Sequence, residues 1–297
     1  MRKNTLRKAS RGMEPRTALL LLASVAIWGS AFAGIRVGLR SYTPGELALL
    51  RFAIASMLLM VYAVITRMPM PRTRDLPAIL ALGFLGISIY QVALAYGELS
   101  VSAGAASLLV GAGPVITALL AMIFKGEKLR LWGWLGMVGS FLGVAMVAWG
   151  EGEGVRFAPG ALLVLLSALS FSVYTVVQKP YLERYGALRL TTYVIWAGTL
   201  LIAFFLPGLV RAVRVAPLED TLAVVYLGIF PGALAYLVWS YALARAPAPI
   251  VASFLYLVPV SAIAVAWGWL RETPSVLALV GGCLSMAGVV LVNTRGR

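Results

Sequence analysis

Long apolar runs separated by short polar links make up almost the whole chain. A helix needs about 20 mostly apolar residues to cross a bilayer, and ten runs approach that length. The pattern predicts spans over Thr17–Gly38, Pro44–Thr66, Leu76–Gly97, Ala103–Phe124 and Leu131–Trp149. Five more follow over Pro159–Gln178, Leu188–Leu206, Thr221–Ala244, Ala248–Leu270 and Pro274–Asn293. Pro and Gly punctuate the links, and Pro44 stands at a favoured first-turn position. An acidic, glycine-rich link, Gly150–Phe157, separates the fifth span from the sixth.

Composition narrows the class. Apolar residues are 61% of the chain and charged ones 12%, against about 45–50% and about 25% in soluble domains. Mean hydropathy is +0.92. No stretch is both long and polar, which excludes a large soluble domain. The expected fold class is an all-α polytopic membrane protein.

The formal charge of +14 would suggest nucleic acid in a soluble protein. Its distribution says otherwise. With the N-terminus in the cytoplasm, 18 of the 25 Lys and Arg fall on the cytoplasmic side and six opposite, with Arg51 inside the second span. This is the positive-inside bias. It predicts an inner-membrane protein with both termini cytoplasmic, and it needs no nucleic-acid partner. Lone Cys283 allows no intrachain disulfide. The absence of His removes the commonest metal ligand, so neither a metal nor a cofactor is expected. A rival reading of the first span is a cleaved signal: Arg2, Lys3, Arg7 and Lys8 precede an apolar run with Ala31-Phe32-Ala33 in it. That span has a counterpart in the second half, which a discarded signal would not need.

The two halves match. An offset of 145 links Gly83 to Gly228, Tyr96 to Tyr241, Pro114 to Pro259, Glu127 to Glu272, Gly136 to Gly281 and Gly143 to Gly288. An offset of 143 links Ser24 to Ser167, Arg36 to Lys179 and Tyr42 to Tyr185. A fixed, ungapped offset over three spans marks a duplication. The predicted organisation is a basic tail over residues 1–16, then repeats over 17–150 and 151–297. Five spans per repeat is odd, so the second repeat enters the membrane inverted. Inverted repeats recur in secondary transporters, with the substrate site near the midplane between them.

Trp28-Gly29-Ser30-Ala31-Phe32, Pro44 with Arg51-Phe52, Ala103 to Leu109 leading to Pro114, Gly126-Glu127 and Gly136 to Gly143 stand in order in the first repeat. Tyr241-Ala242-Leu243, Pro259, Arg271-Glu272 and Gly281 to Gly288 stand in the second. In order and spacing these resemble the EamA-like transporters of the drug/metabolite transporter superfamily, over nearly the whole chain. The resemblance implies ten helices in two inverted five-helix repeats. It also implies a cavity lined mainly by spans 1, 3, 4, 6, 8 and 9, and export or exchange of amino acids and other small metabolites. Two positions depart from the pattern: Ala31 where Asn is frequent, and Arg271 where Gly is commoner.

Arg51 lies within a span, where a cation costs roughly 2.5–3.5 kcal/mol. It is a candidate counter-charge for a substrate carboxylate or a gate. The alternatives are snorkelling, or pairing with Glu46 or a helix carbonyl. Glu98, at the outer end of the third span, is a candidate for the cavity mouth. Glu127 and Glu272 open spans 5 and 10, where the helix dipole favours an acid by roughly 0.3–1 kcal/mol. Pro114 and Pro259 fall in mid-span as candidate hinges. The polar and aromatic cavity candidates are Trp28, Ser30, Tyr90, Gln91, Tyr96, Tyr174, Gln178, Trp196, Tyr236, Trp239, Tyr241, Ser253 and Tyr256. Tyr42, Tyr185 and Trp149 read better as interfacial anchors. Gly139-x-x-x-Gly143 allows close helix approach, within one chain or in a homodimer. No Asp or Glu lies at a span's middle, which favours facilitated or exchange transport over a carboxylate proton relay. The expected function is movement of small amphipathic solutes, outward, by alternating access. Its rivals are an intramembrane lipid-modifying enzyme, for which no catalytic constellation is found, and a non-transporting sensor or scaffold.

Overall fold

The computed structural model describes residues 14–100, 109–127, 129–150, 160–265 and 275–296, and every regular element among them is helical. The helices are α1 (Pro15–Gly38), α2 (Pro44–Ile65), α3 (Leu76–Gly83), α4 (Tyr90–Gly97), α5 (Gly113–Lys125), α6 (Leu131–Gly150), α7 (Gly160–Val177), α8 (Lys179–Tyr185) and α9 (Ala187–Leu201). Then come α10 (Leu206–Val215), α11 (Leu218–Leu227), α12 (Ala235–Leu243), α13 (Ala248–Ser253), α14 (Val258–Val265) and α15 (Val276–Arg295).

Five stretches are long and apolar enough to cross a membrane: Pro15–Ile35, Pro44–Ile65, Thr73–Gly97, Gly160–Val177 and Leu218–Leu243. Ala187–Leu201 with Ala203–Val215 makes a sixth if the pair, bent by 47°, counts as one. Shorter apolar helices, Gly113–Lys125, Leu131–Val147, Ala248–Ser261 and Leu279–Arg295, overlap the other four expected spans. Large apolar side chains on the outer faces, among them Leu19, Val64, Ile65 and Leu162, are mostly exposed. A sheath of this kind suits lipid rather than water.

Local chemistry sets the helix ends. Thr43 caps α2: its hydroxyl accepts from the Glu46 N–H, and the Glu46 carboxylate accepts from the Thr43 N–H. This reciprocal box satisfies two orphan donors, and it engages Glu46 away from Arg51. After α5, Gly126 takes φ +64°, a left-handed turn natural to glycine. Residues 207–215, which the sequence pattern leaves in a link, form most of α10. There Val210 and Val213 alternate around Arg211 and Arg214, the amphipathic pattern of a helix lying along an interface.

Pro114 and Pro259, the candidate hinges, each stand just after a break in the regular α-helix. Pro114 is the second residue of α5, after a turn, and Pro259 the second of α14, after the 3-10 turn Phe254–Leu257. A first-turn proline lacks an N–H that has no helical partner anyway. The π-helical backbone lies elsewhere. Thr73–Gly97 contains a π-helical segment over Phe84–Ile89, between α3 and α4. Leu218–Leu243 contains another over Gly228–Leu234, between α11 and α12, with Pro231 inside it. The two wide turns fall at equivalent places once the offset of 145 is applied.

Glycines let helices touch at the backbone. A Cβ on Gly143 would stand 2.5 Å from the Gly281 carbonyl oxygen, and one on Gly136 2.7 Å from that of Gly288. Numbers rise along α6 as they fall along α15, so these two helices pack antiparallel. Between the glycine pairs, the Ser140 hydroxyl donates to the Ser285 carbonyl at 3.0 Å. Gly139 faces open space, so Gly139 and Gly143 do not act as one motif. A second contact has the same character: a Cβ on Gly228 would meet the Arg51 carbonyl, and one on Gly83 the Val194 carbonyl.

Three polar contacts join residues at the repeat offsets themselves: Ser140 with Ser285, Gln91 with Tyr236, and Ser56 with Thr199. The first two pairs are 145 apart and the third 143.

Gly143→Val is expected to lower stability in detergent by about 1–3 kcal/mol, the usual cost of overpacking. Gly139→Ala should leave the melting temperature within a degree or two, about the effect of a surface change. Thermal unfolding followed by intrinsic fluorescence compares the two.

Candidate functional site

A cavity of about 90 Å³ opens beside the two wide turns. At ~10–15 Å³ per water, that is room for a small solute or a handful of waters. Trp28, Tyr90, Phe171, Tyr236 and Tyr256 wall it, and Arg51, Gln91 and Glu98 supply its polarity. α1 brings Trp28, α4 brings Tyr90 and Gln91, and α7 brings Phe171. The broken backbone before α14 brings Tyr256 and Pro259 to the rim.

The wide turns position these groups. A π-helical turn frees carbonyls from the regular ladder, and in a membrane they need other donors. The Tyr236 hydroxyl donates to the Gly86 carbonyl at 3.1 Å, and the Ser170 hydroxyl to the Leu85 carbonyl at 2.8 Å. In the other wide turn, the Trp28 indole N–H donates to the Pro231 carbonyl at 3.2 Å. Gly86 and Pro231 are themselves 145 apart. Trp28, Phe171, Tyr236 and Trp239 then pack ring to ring, with centroids 5.4–6.3 Å apart in the contacting pairs. Such contacts add about 0.5–1.5 kcal/mol each beyond area burial.

Arg51 is 4% exposed, which rules out snorkelling. Its Nη1 donates to Gln91 Oε1 at 3.2 Å, and Gln91 Nε2 donates to the Tyr236 hydroxyl at 3.1 Å. A relay therefore runs from the guanidinium through Gln91 and Tyr236 to the Gly86 backbone. The guanidinium carbon lies 5.3 Å from the Phe52 ring centroid. Its Nε finds no hydrogen-bond partner, and neither does the Tyr256 hydroxyl. Both residues line the cavity. Glu98 lines it too, close enough for its charge to act on Arg51.

The remaining sequence candidates are placed as follows. Ser30 donates to the Ile27 carbonyl and meets the Tyr226 hydroxyl. Tyr96 is 37% exposed, and Tyr241 stacks under Arg245, 3.4 Å from its guanidinium carbon. Ser253 is buried against the Ile250 carbonyl. Trp196 donates to the Ser56 carbonyl. Tyr174, Gln178 and Trp239 are fully buried, outside the cavity lining, as is Pro114. Phe171 was not a sequence candidate, although the offset of 143 that links Ser24 to Ser167 also links Trp28 to Phe171. Ala31, the departure from the family pattern, lines the wall.

At the end of the bundle that carries Lys179, charged and polar contacts tie helices together. The Glu127 carboxylate pairs with Lys179 and accepts from the Ala248 N–H at 2.8 Å, tying α5, α8 and α13 together. Glu127 is thus a cross-link rather than a dipole partner for its own helix; Glu272 lies outside the described residues, as does Arg271. Nearby, Asp75 accepts from Arg184 and Tyr185. Burial, and then the bond to Asp75, hold the Tyr185 phenol above its ordinary pKa, as a neutral donor. At the opposite end, Asp220 accepts from Ser41, and the Tyr42 and Thr221 hydroxyls meet. Tyr42 and Tyr185 are therefore built into the structure, whereas Trp149, 65% exposed, is free to anchor at the interface.

The model of the EamA-like transporter family matches this chain twice, over residues 15–149 and 158–294. A probable terminal-alkyne amino-acid exporter of Streptantibioticus cattleyicolor is 42% identical over 278 residues, covering 93% of this chain and 92% of that protein. An uncharacterized transporter of Bacillus subtilis, YdfC, is 40% identical over 280 residues, with the same coverage. One solved structure shares the fold with a TM-score of 0.77 at 19% identity, over 93% of this chain and 96% of that one.

Tyr236→Phe is expected to lower stability by about 1–3 kcal/mol, because it leaves the Gly86 carbonyl and the Gln91 amide unpaired. An unchanged melting temperature in detergent would show that the wide turn does not depend on this hydroxyl.

Proposed function

The chain belongs to the EamA-like transporter family, and from that premise we propose that it exports amino acids with apolar side chains. On this reading it has ten spans arranged as two inverted five-helix repeats in the inner membrane, with both termini cytoplasmic. Several observations support it: the family model matches each half, contacts join residues at the repeat offsets, and the basic loops sort to one side.

The observation that carries the solute class is the cavity's charge pattern. One guanidinium and one carboxylate, Arg51 and Glu98, face a space otherwise walled by aromatic rings and small apolar groups. A zwitterion with an apolar side chain complements all three features. Its carboxylate would take the open Nε of Arg51, its ammonium would turn toward Glu98, and its side chain would lie against Trp28 and Phe171. The residue 143 after Arg51 is Val194, so only one half carries the cation. The relative named as an amino-acid exporter fits the same solute class.

The cycle needs no covalent chemistry. The solute enters from the Lys179 end when the Glu127 clamp opens, settles between Arg51 and Glu98, and leaves through the mouth beside Ile35 and Leu94. No acid stands at a span's middle, so facilitated or exchange movement is the reading of choice.

Proteoliposomes preloaded with L-leucine, L-propargylglycine and the neutral N-acetyl-leucinamide test the proposal. Wild-type protein should release the two amino acids in preference to the neutral amide. Arg51→Gln should slow amino-acid release about tenfold, the equivalent of about 1.4 kcal/mol of lost recognition, and change neutral release little. Equal loss for all three solutes would make Arg51 structural. No release of either amino acid by folded wild-type protein would overturn the proposed function.

A further inference from the structure

Between the packed rings of Trp28, Phe171, Tyr236 and Trp239 and the Glu127–Lys179 pair, buried polar atoms are poorly matched. Both Gln178 amide atoms, the Tyr174 hydroxyl, the Thr175 hydroxyl and the Trp239 indole N–H lack hydrogen-bond partners. All four side chains belong to residues that are 0% exposed. The Tyr174 hydroxyl is engaged weakly by Ser240 and Gln178, short of a well-formed hydrogen bond. Leaving a buried polar group unpaired forfeits the hydrogen bonds it would make with water. A cluster of such groups within one membrane region is hard to reconcile with a permanently dry core. Gln178 sits beside Lys179 in the chain, so the cluster begins immediately above the clamp.

The repeat offsets give the cluster a meaning. The residues 143 before Tyr174 and Gln178 are Ala31 and Ile35, and the residue 145 before Trp239 is Leu94. Ala31, Ile35 and Leu94 all line the open cavity on its way to the mouth. The unpaired set therefore occupies, in the closed half, the positions that form the passage in the open half. At these corresponding positions the two sides differ: Ala31, Ile35 and Leu94 in the open half stand against Tyr174, Gln178 and Trp239 in the other.

We propose that Tyr174, Gln178 and Trp239 form a second solute station, a polar vestibule that exists when the Lys179 end opens. This rests on the transport reading above. In the closed arrangement the groups are unpaired. In the open one, water satisfies them and then the charged head of an incoming amino acid. The Gln178 amide offers two donors and an acceptor, which suits an ammonium and a carboxylate together. The head then passes on toward Arg51. A station of polar groups next to the Glu127–Lys179 pair favours capture from the Lys179 side. Opening requires the Glu127–Lys179 pair to part, so weakening that pair exposes the vestibule.

Thiol accessibility tests this directly. In a Cys283→Ser background, Gln178→Cys is placed in proteoliposomes and exposed to a membrane-impermeant methanethiosulfonate reagent, with L-leucine flux measured in the same vesicles. Labelling is expected, and L-leucine should change its rate by about threefold or more, the signature of a shifted population. Adding Glu127→Gln should speed labelling about tenfold, as loss of a contact made only in the closed state biases the equilibrium. Should Gln178→Cys fold poorly, Ser240→Cys, a nearly isosteric change at a buried neighbour, reads the same vestibule. Absence of labelling at the position tested, in folded protein, overturns the vestibule whether or not leucine moves. Labelling at Gln178→Cys together with absence of leucine flux in Cys283→Ser vesicles that keep Gln178 leaves the vestibule standing and overturns the amino-acid transport reading. Gln178→Leu supplies an independent check. It should raise the melting temperature, since an unpaired amide is gone, while slowing leucine release; a lower melting temperature would mark the amide as an ordinary structural group and contradict the proposal.

Discussion

A helix inside a bilayer cannot leave backbone carbonyls unpaired, because no water is there to receive them. The two wide turns break that rule locally, and the centre of the molecule is organised around the repair. Gly86 and Leu85 receive hydroxyls from Tyr236 and Ser170, and Pro231 receives the Trp28 indole. Each repair draws an aromatic or polar side chain from another helix into the midplane. The cavity is the space left between those side chains. The same donors hold Gln91, and through it Arg51, a cation whose burial would otherwise be prohibitive. Backbone irregularity, aromatic floor and charged handle thus form one construction.

The halves are alike in backbone and unlike in chemistry. Wide turns, close glycine contacts and first-turn prolines recur at the offsets of 143 and 145. Arg51 faces the cavity where its counterpart is Val194, and Gln178 is buried where its counterpart is Ile35. On the proposed alternating-access cycle, similar scaffolds serve two arrangements, and these chemical differences let the solute meet different groups in each.

Much of this was legible in the sequence. Apolar run length located the helices, and fixed offsets exposed the duplication. The cost of an intramembrane cation singled out Arg51, and the structure puts it on the cavity wall. Trp28, Tyr90, Gln91, Tyr236 and Tyr256 were found from polarity within a span, and they line the cavity too. Other features left weaker marks. A π-helical turn has no strong signature, so Pro231 went unnoticed. Phe171 carries no polar atom and was passed over, although its relation to Trp28 was available from the offset. Residue type also cannot tell whether a buried polar group faces the open half or the closed one, so Tyr174, Gln178 and Trp239 were grouped with the cavity lining. The amphipathic α10 was too short and too charged to register as a span.

The most direct measurement is a pair of distances between spin labels in lipid, read by pulsed dipolar spectroscopy with and without L-leucine. Arg40 and Leu99, both exposed, lie a few residues along the chain from the cavity-lining Ile35 and Glu98, and the residues at the corresponding offsets, Glu183 and Ala244, are exposed near Lys179 and Ala248 in the chain. Alternating access predicts opposite changes: as a population with a longer Glu183–Ala244 distance grows, the Arg40–Leu99 distance shortens. Distances that stay fixed at both ends under conditions where leucine crosses the membrane, or that lengthen together, would contradict it.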